Sequence, residues 1–337
     1  MKNKFWVSIV TALVVVIGLA CVACKQNASS SLPLAVQGKP VKIGVIVYPG
    51  YGPLFIAKEK GFFDKEGVKV EISVLGDASS LISSFASNDV QFSICSPDAT
   101  LLFAEAGVDF KEIWAMDIGY GSDGLLVKND VNSVSDLKGK PVYLYMGTPS
   151  HFLLRSMAIQ AGLKAGDISL IQMDPDQIGA AFMAGKIDYG MSWEPWLSKA
   201  SARKDGKTLF TSKDKPGIIL DTFAVRTDFL NAHRDQVKAI MRAWFDSIEF
   251  LKTNSKEAHE IMARNFHMPI EELETQLTTV KFLSYQESLA KFSKDTDLNV
   301  FQLAEMAAKI FKEDGVLKKD VHPESLVDGS LLKELHP

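Results

Sequence analysis

The stretch from residue 41 to residue 67 constrains the fold more than any other part of the chain. Val41–Val47 is apolar and rich in β-branched side chains, which predicts a buried strand. The next segment, Tyr48–Pro53, contains two prolines and two glycines and cannot continue that strand. Pro53 suits the first position of a helix, which we expect to run to Lys60 and to end at the following glycine. A strand, a loop and a helix in this order form the first half of a βαβ unit.

This loop is where we expect a ligand. In open α/β sheets, ligands bind at the carboxyl ends of strands and beside the N-termini of helices. The loop carries Tyr48, Tyr51 and Gly52 and no charged side chain. We therefore interpret it as the floor of a binding site rather than as a catalytic cluster. The alternative is that the two tyrosines only pack in the core.

Two runs of alternating strand and helix signals predict two α/β lobes. The first run covers residues 38–128 and the second covers residues 139–225. Both begin with the letters G-K-P-V, at Gly38 and at Gly139. The runs are either copies of each other or independent uses of the same βαβ pattern. Both interpretations give two Rossmann-like lobes.

Several turns in these runs carry helix-start signals. Ser96–Asp98 and Thr148–Ser150 each place a capping residue before a proline, which predicts a helix whose first residue is that proline. The segment Ser192–Trp196 predicts a further helix that begins at Pro195. Residues 117–124 are rich in glycine and aspartate and predict a loop.

From about residue 231 the spacing of apolar residues is helical, and we expect these helices to pack on the first lobe. The chain then crosses between the lobes twice, near residues 125–129 and near residues 220–226. We predict a first lobe of residues 39–126 plus 224–337 and a second lobe of residues 127–223. Two extended crossovers form a hinge, so the cleft between the lobes is expected to close on a ligand.

Residues 1–24 predict a secretory signal, because two lysines precede an uncharged apolar run and small residues follow it. The run is short for a membrane span, and an uncleaved anchor is the alternative. We favour Cys24 as a lipidated N-terminus because a polar stretch follows it. Cys21 is the alternative, and an ordinary secreted protein is the other interpretation. Residues 25–38 are predicted to be a tether. These features predict an extracytoplasmic protein held to the membrane by a lipid.

Composition argues against several classes of protein. The formal net charge is −4 and no basic tract is evident, which argues against nucleic acid as a partner. Cys95 is the only cysteine after residue 24, so no internal disulfide framework is expected. No metal-ligand spacing, phosphate-binding glycine loop or nucleophile–base signature is evident. We therefore predict no cofactor and no metal site, and we expect a monomer.

The motifs resemble those of a known family in their order and spacing. The first, Tyr48–Gly67, contains the letters G-P-L-F-I-A-K and K-G-F-F, and similar later positions are Asp123–Leu125, Asp136–Lys140, Gly147–Thr148 and Trp193–Pro195. Over about residues 40–330 the chain is similar to the nitrate/sulfonate/taurine-type substrate-binding proteins of ABC importers. That superfamily also includes thiamine-pyrimidine binding and synthesis proteins. The resemblance implies a type II periplasmic-binding fold, a closing cleft, and delivery of the ligand to an ABC permease and its ATPase.

The candidate ligand-binding residues lie in the predicted cleft loops. They are Tyr48, Tyr51, Gly52, Asp77, Ser96, Asp98, Asp123, Thr148, Ser150, His151, Trp193 and Glu194. Trp193 is preferred to Trp196 for the cleft, where an aromatic ring stacks on a planar ligand or faces a cation. Each candidate has a structural alternative. The acidic residues can cap helices or turns, Thr148 and Ser150 can cap a helix, and a lone histidine is often structural.

The predicted cleft loops contain no arginine or lysine, although sites for simple anions often use a cationic fork. Aromatic and acidic side chains suit a ligand that bears an amine. We therefore expect a small amine-containing molecule, either a thiamine-precursor pyrimidine or a taurine-like zwitterion. Two other functions compete. One is a pyrimidine-synthesis enzyme. The resemblance implies a cysteine-rich cluster in that branch of the superfamily, and this chain lacks such a cluster. The other is a sensor or chemoreceptor partner.

Overall fold

Two β-sheets organise the computed structural model of this protein, which describes residues 39–335. The strands are β1 Val41–Val45, β2 Val70–Val74, β3 Phe92–Cys95, β4 Phe110–Gly119, β5 Asp123–Lys128, β6 Pro141–Leu144, β7 Ser169–Gln172, β8 Tyr189–Trp193, β9 Gly206–Thr211, β10 Leu220–Arg226 and β11 Val280–Phe282.

Helices cover both sheets. They are α1 Pro53–Glu59, α2 Phe62–Lys65, α3 Ala78–Ala86, α4 Thr100–Glu105, α5 Pro149–Gln160, α6 Pro175–Met183, α7 Trp196–Ala200, α8 Thr227–Ala232, α9 Arg234–Thr253, α10 Ser255–Phe266, α11 Ile270–Leu277, α12 Tyr285–Lys291, α13 Val300–Glu313 and α14 Ser330–Glu334. Proline is the first residue of α1, α5 and α6, as the sequence predicts for Pro53 and Pro149. At that position the missing N–H has no partner within the helix anyway.

Each sheet combines parallel strands with antiparallel ones. The first sheet has the order β11-β4-β10-β3-β1-β2, with β1 parallel to β2 and β3, and with β10 antiparallel to β3 and β4. The second has the order β7-β6-β8-β5-β9, with β6 parallel to β7 and β8, and with β5 antiparallel to β8 and β9. The expected mixed α/β architecture of two lobes is therefore confirmed.

The chain passes between the two sheets at other positions than predicted. The first passage is residues 120–122, between β4 and β5, and the second is residues 212–219, between β9 and β10. The predicted crossovers at 125–129 and 220–226 instead fall mostly within β5 and β10, which pair inside one sheet each. Both segments are extended and apolar, and such a segment has the same sequence signature whether it joins lobes or enters a sheet.

Two local predictions are wrong. Residues 117–119 belong to β4 and β5 starts at Asp123, so only three residues of the predicted loop at 117–124 lie outside strands. Strand β4 extends because β10 and β11 pair with its two edges, and no local signal shows that pairing. Helix α4 starts at Thr100 rather than at Pro97, because residues 97–99 form a separate turn.

The C-terminal helices pack on the first lobe, as predicted. Helix α9 contacts α1 and α2, α10 contacts α1, and α12 contacts β4. The rings of Phe55 and Phe266 meet edge to face, with centroids 5.3 Å apart. Helix α13 is different, because it also contacts α5 of the second lobe.

The predicted signal at residues 1–24, the tether at 25–38 and the lipidation candidates Cys24 and Cys21 lie outside the described residues. None of the helices between residues 39 and 335 is both long and apolar enough to cross a bilayer.

Candidate functional site

A cavity lies between the two sheets, at the carboxyl ends of β1, β3 and β8. Its volume is about 80 Å³, measured as space for the centres of water molecules. Six of the predicted site residues line it, namely Tyr48, Tyr51, Ser96, Asp123, Thr148 and Trp193. They come from both lobes, because the loops after β1 and β3 belong to the first sheet and the others adjoin strands of the second.

Aromatic and aliphatic side chains form most of the cavity wall. The rings of Tyr48 and Tyr51 meet at 64° with centroids 5.0 Å apart, and both residues are buried. Trp193, the last residue of β8, also lines the cavity. The remaining apolar lining includes Ile46, Ile82, Ile94, Leu102, Phe103 and Ile219.

Two carboxyl groups are among the polar groups of the wall. Asp123 and Asp221 line the cavity, and each is only 4% exposed. Asp117 lies directly opposite Asp221 in the pairing of β4 with β10 and is fully buried. Within the described residues, neither carboxyl oxygen of Asp117 has a hydrogen-bond partner. Burial alone raises the pKa of Asp117 to about 8.

Burial and neighbouring charges act together on Asp221. Burial raises the pKa of its carboxyl well above the usual range, and the negative charges of Asp117, Asp123 and Asp98 raise it further. The nearby hydroxyl of Tyr51 acts in the opposite direction. An ionised carboxylate at this position is therefore costly until a positive charge approaches it.

Asp123 is held in place by two serines. Its carboxylate accepts hydrogen bonds from Ser122 Oγ at 2.9 Å and from Ser150 Oγ at 2.7 Å. Burial raises its pKa to about 6, and the two serines act in the opposite direction. Since Ser150 lies in the first turn of α5, the carboxylate of Asp123 already faces the N-terminus of that helix. The free N–H groups at this helix start, which could otherwise bind an anion, thus have a negative group beside them.

Two further buried acids lie close to the cavity without lining it. Glu112 accepts hydrogen bonds from Thr100 Oγ1 at 2.8 Å and from Thr222 Oγ1 at 2.6 Å, and burial raises its pKa to about 7. Burial likewise raises the pKa of Asp98 to about 7. Asp98 was predicted to contact ligand, but it is not among the residues that line the cavity.

The other predicted site residues do not line the cavity. Gly52 packs against Met262, whose Cε would lie 2.1 Å from a Cβ added at that glycine. Asp77 caps α3 and accepts a hydrogen bond from the Ser80 N–H at 2.8 Å. Glu194 accepts hydrogen bonds from Ser198 Oγ at 2.6 Å and from its N–H at 3.2 Å. Asp77 and Glu194 therefore have the capping roles that were the structural alternatives.

His151 faces helix α13 rather than the cavity. Its ring stacks on Phe311, with centroids 4.9 Å apart and planes 9° apart. Nδ1 accepts a hydrogen bond from the Gly147 N–H at 3.2 Å, so Nε2 carries the proton and donates to Asp314 at 2.9 Å. Arg155 also donates to Asp314, at 2.7 Å.

Asp117, Asp221 and Glu112 are buried acids at or near the cavity that were not predicted from the sequence. One signal for Asp221 is present in the sequence, since it is a single carboxylate inside the apolar segment Gly217–Val225. Aspartate is rarely buried without a partner, so its position there is informative.

Comparison with known proteins places the chain in a family. Residues 48–258 match the model of the NMT1/THI5-like family. The chain is 27% identical over 308 residues to a Bacillus subtilis (strain 168) protein whose provisional name is aliphatic sulfonates-binding protein, covering 88% of each chain. It is 28% identical over 220 residues to the taurine-binding periplasmic protein of Escherichia coli (strain K12), covering 64% of this chain and 68% of that one.

Solved structures share the fold. The periplasmic aliphatic sulphonate binding protein SsuA from Escherichia coli superposes with a TM-score of 0.72 at 18% identity, covering 87% of this chain and 92% of that one. The desulfurization enzyme DSZB has the same fold at a lower TM-score of 0.60 and 14% identity, covering 88% and 98%. The fold is therefore shared by binding proteins and by an enzyme, while the sequence relatives are named as binding proteins. On the match over residues 48–258, the chain belongs to the NMT1/THI5-like family.

Proposed function

We propose that this protein is the extracytoplasmic solute-binding component of an ABC importer and that it captures a small amine-bearing organic molecule. The observation that carries the proposal is the cavity between the lobes. Its wall combines aromatic rings, aliphatic side chains and hydroxyl groups with the carboxyl groups of Asp123 and Asp221, and no Lys, Arg or His lines it within residues 39–335. An amine is the functional group that such a wall binds best, through carboxylates and the faces of aromatic rings.

Contacts across the cleft support a closing motion. Lys199 of α7 pairs with Glu272 of α11 at 2.9 Å, and the hydroxyl groups of Ser79 and Tyr145 bond across the cleft mouth. A solute that touches both lobes favours this closed arrangement by its difference in affinity between the closed and open forms.

The size of the cavity limits the solute. The centres of water molecules have about 80 Å³ available inside it, so only a small molecule fits. A thiamine-precursor pyrimidine and a taurine-like sulfonate are both in this size class. The taurine-binding relative favours the second of these and the acidic wall favours the first.

The cellular context is part of the same proposal. A signal at residues 1–24 and a lipid on Cys24, or on Cys21, would hold the protein at the outer side of the membrane. There it would present the closed form to an ABC permease and its ATPase, and we expect a monomer. The periplasmic relatives support this location.

Mass spectrometry of the solute released by denaturing the purified protein tests the proposal. We expect one small amine-bearing compound, which should then bind the ligand-free protein with one site in isothermal titration calorimetry. Tight binding of nitrate or of a plain alkanesulfonate, with none of amine-bearing compounds, would overturn the choice of solute. Binding of no small solute at all would overturn the function.

A further inference from the structure

The carboxyl groups beside the cavity have no positive partner in the described part of the chain. Ion pairs between residues 39 and 335 involve none of Asp98, Glu112, Asp117, Asp123 or Asp221. Elsewhere in this protein a buried charge is paired, as Arg155 is with Asp314. Ionising several buried acids without a counterion is unfavourable, so these groups either hold protons or pair with a cationic ligand.

The polar atoms of this region point to the same conclusion independently. Tyr48 and Ser96 line the cavity, and their buried hydroxyl oxygens have no partner at good hydrogen-bonding geometry, although Ser122 lies near the first and Asp98 near the second. Both carboxyl oxygens of Asp117 are likewise buried without a hydrogen-bond partner. Buried polar groups are nearly always satisfied in native proteins, so unsatisfied groups at a cavity indicate where a ligand donates hydrogen bonds.

Close packing holds the carboxyl group of Asp117 against the segment Tyr48–Pro53, which we call the tyrosine loop. A Cβ added at Gly50 would lie 2.6 Å from Asp117 Oδ2 and 2.5 Å from Tyr48 Cε1. The glycine therefore leaves the space that lets the carboxyl group approach the floor of the site. Opposite residues on antiparallel strands have Cβ atoms about 4.5–5.5 Å apart, so Asp117 and Asp221 form one acidic pair.

We propose that this cavity selects a small organic cation that carries no acidic group, with its ammonium or amidinium facing Asp221 and the adjacent Asp117. The inference rests on the proposed function, because it concerns the solute in the same cavity. It separates this chain from its relatives named for sulfonates or taurine. A sulfonate would lie against Asp221 and Asp123, and the N-terminus of α5 that could attract it already faces Asp123.

An organic cation fits this wall better than a metal ion. Within residues 39–335, no group of three or more His, Cys, Asp or Glu side chains is arranged to hold a metal. Tyr48, Tyr51 and Trp193 line the cavity, and aromatic rings can bind an organic cation and pack on its apolar body.

Calorimetry with four probes tests the inference on the full chain after removal of bound solute. The probes are propylammonium, the aminopyrimidine precursor of thiamine, taurine and ethanesulfonate. We expect at least one of the first two to bind and neither sulfonate to bind. Asp221→Asn should weaken the binding of that cation at least tenfold. Asp235→Asn, which removes the same charge from a fully exposed side chain, should leave its Kd within twofold.

The outcomes separate this inference from the proposed function. Tighter binding of taurine or ethanesulfonate than of either cation overturns the inference and leaves solute capture intact. A Kd of Asp221→Asn within twofold of the unchanged protein also overturns it. If none of the four probes binds, the inference is wrong, and if denaturation also releases no solute, the proposed function fails with it. Asn is close to Asp in shape, and circular dichroism verifies that each variant is folded.

Discussion

At the scale of single residues, Trp193 and Trp196 lie three positions apart in different surroundings. Trp193 lines the cavity, whereas Trp196 is 36% exposed and lies under the ammonium of Lys199 at 5.2 Å. We expect Trp193→Ala to weaken solute binding by ~2 kcal/mol or more, because it removes an aromatic ring that lines the cavity. Trp196→Ala is the matched control and should change Kd less than twofold. Calorimetry with the bound solute measures the Kd of both variants. Equal losses of affinity would mean that neither ring belongs to the site.

The acidic pair makes solute binding depend on pH. Burial raises the pKa of Asp117 to about 8, so its carboxyl group holds a proton at neutral pH. A cation that pairs with the carboxylates must displace a proton, and its affinity therefore rises with pH, by up to tenfold per unit for each proton released. The titratable groups that face this carboxyl from neighbouring elements are Tyr48, Tyr51 and Asp221, and Asp98 and Asp123 in turn act on Asp221.

Titrations between pH 6 and pH 8 check this prediction. The Kd of the cation should fall across the range, and the heat should vary with the ionisation enthalpy of the buffer. Asp117→Asn should flatten the dependence, because the pair then has one proton fewer to release. A Kd that rises with pH would contradict the assigned direction.

At the scale of elements, helices α5 and α13 join the two lobes through a buried ion pair. The side chains of Arg155 and Asp314 are 3% and 5% exposed. Removing one member leaves the other charge buried without its partner, which typically costs about 3–5 kcal/mol. We expect Asp314→Asn to lower the free energy of unfolding by about 3 kcal/mol in urea denaturation.

Glu313 provides the control for that variant. It also approaches Arg155, but at 3.8 Å and with its side chain 43% exposed. Exposed pairs contribute about 0–1 kcal/mol, so Glu313→Gln should lower stability by less than 1 kcal/mol. Similar losses of unfolding free energy for the two variants would mean that burial of Asp314 does not make its ion pair more stabilising than an exposed one.

The elements also show what local sequence can and cannot predict. Strand β1, the proline starts of α1 and α5, and the tyrosine loop follow from neighbouring residues, and the structure has them where expected. Strands β9 and β11 and the true crossovers were missed, because they depend on partners distant in the chain. The same limit explains the site. Tyr48 and Trp193 adjoin strand ends and could be predicted as site residues. Asp117 could not, because it lies beside Asp221 only through the pairing of β4 with β10.

At the scale of the whole molecule, the buried acids set how stability varies with pH. Burial raises the pKa of Asp98 and Glu112 to about 7, of Asp123 to about 6 and of Asp117 to about 8. In the unfolded chain these groups titrate near pH 4. The folded protein therefore binds more protons than the unfolded chain between about pH 4 and pH 8. The stability that these groups contribute is complete below pH 4 and is lost as pH rises through the folded pKa values.

We therefore expect the ligand-free protein to melt at lower temperature at pH 8 than at pH 5.5. A loss of ~1 kcal/mol lowers Tm by about 2 °C in a domain of this size, so a fall of several degrees is expected by scanning calorimetry. Asp117→Asn should reduce the fall, because an amide does not ionise. A bound cation should reduce it as well, since it stabilises the ionised carboxylates that otherwise weaken the fold. A Tm that rises steadily from pH 5.5 to pH 8 in the ligand-free protein would mean that the buried acids are neutralised by something other than protons or solute.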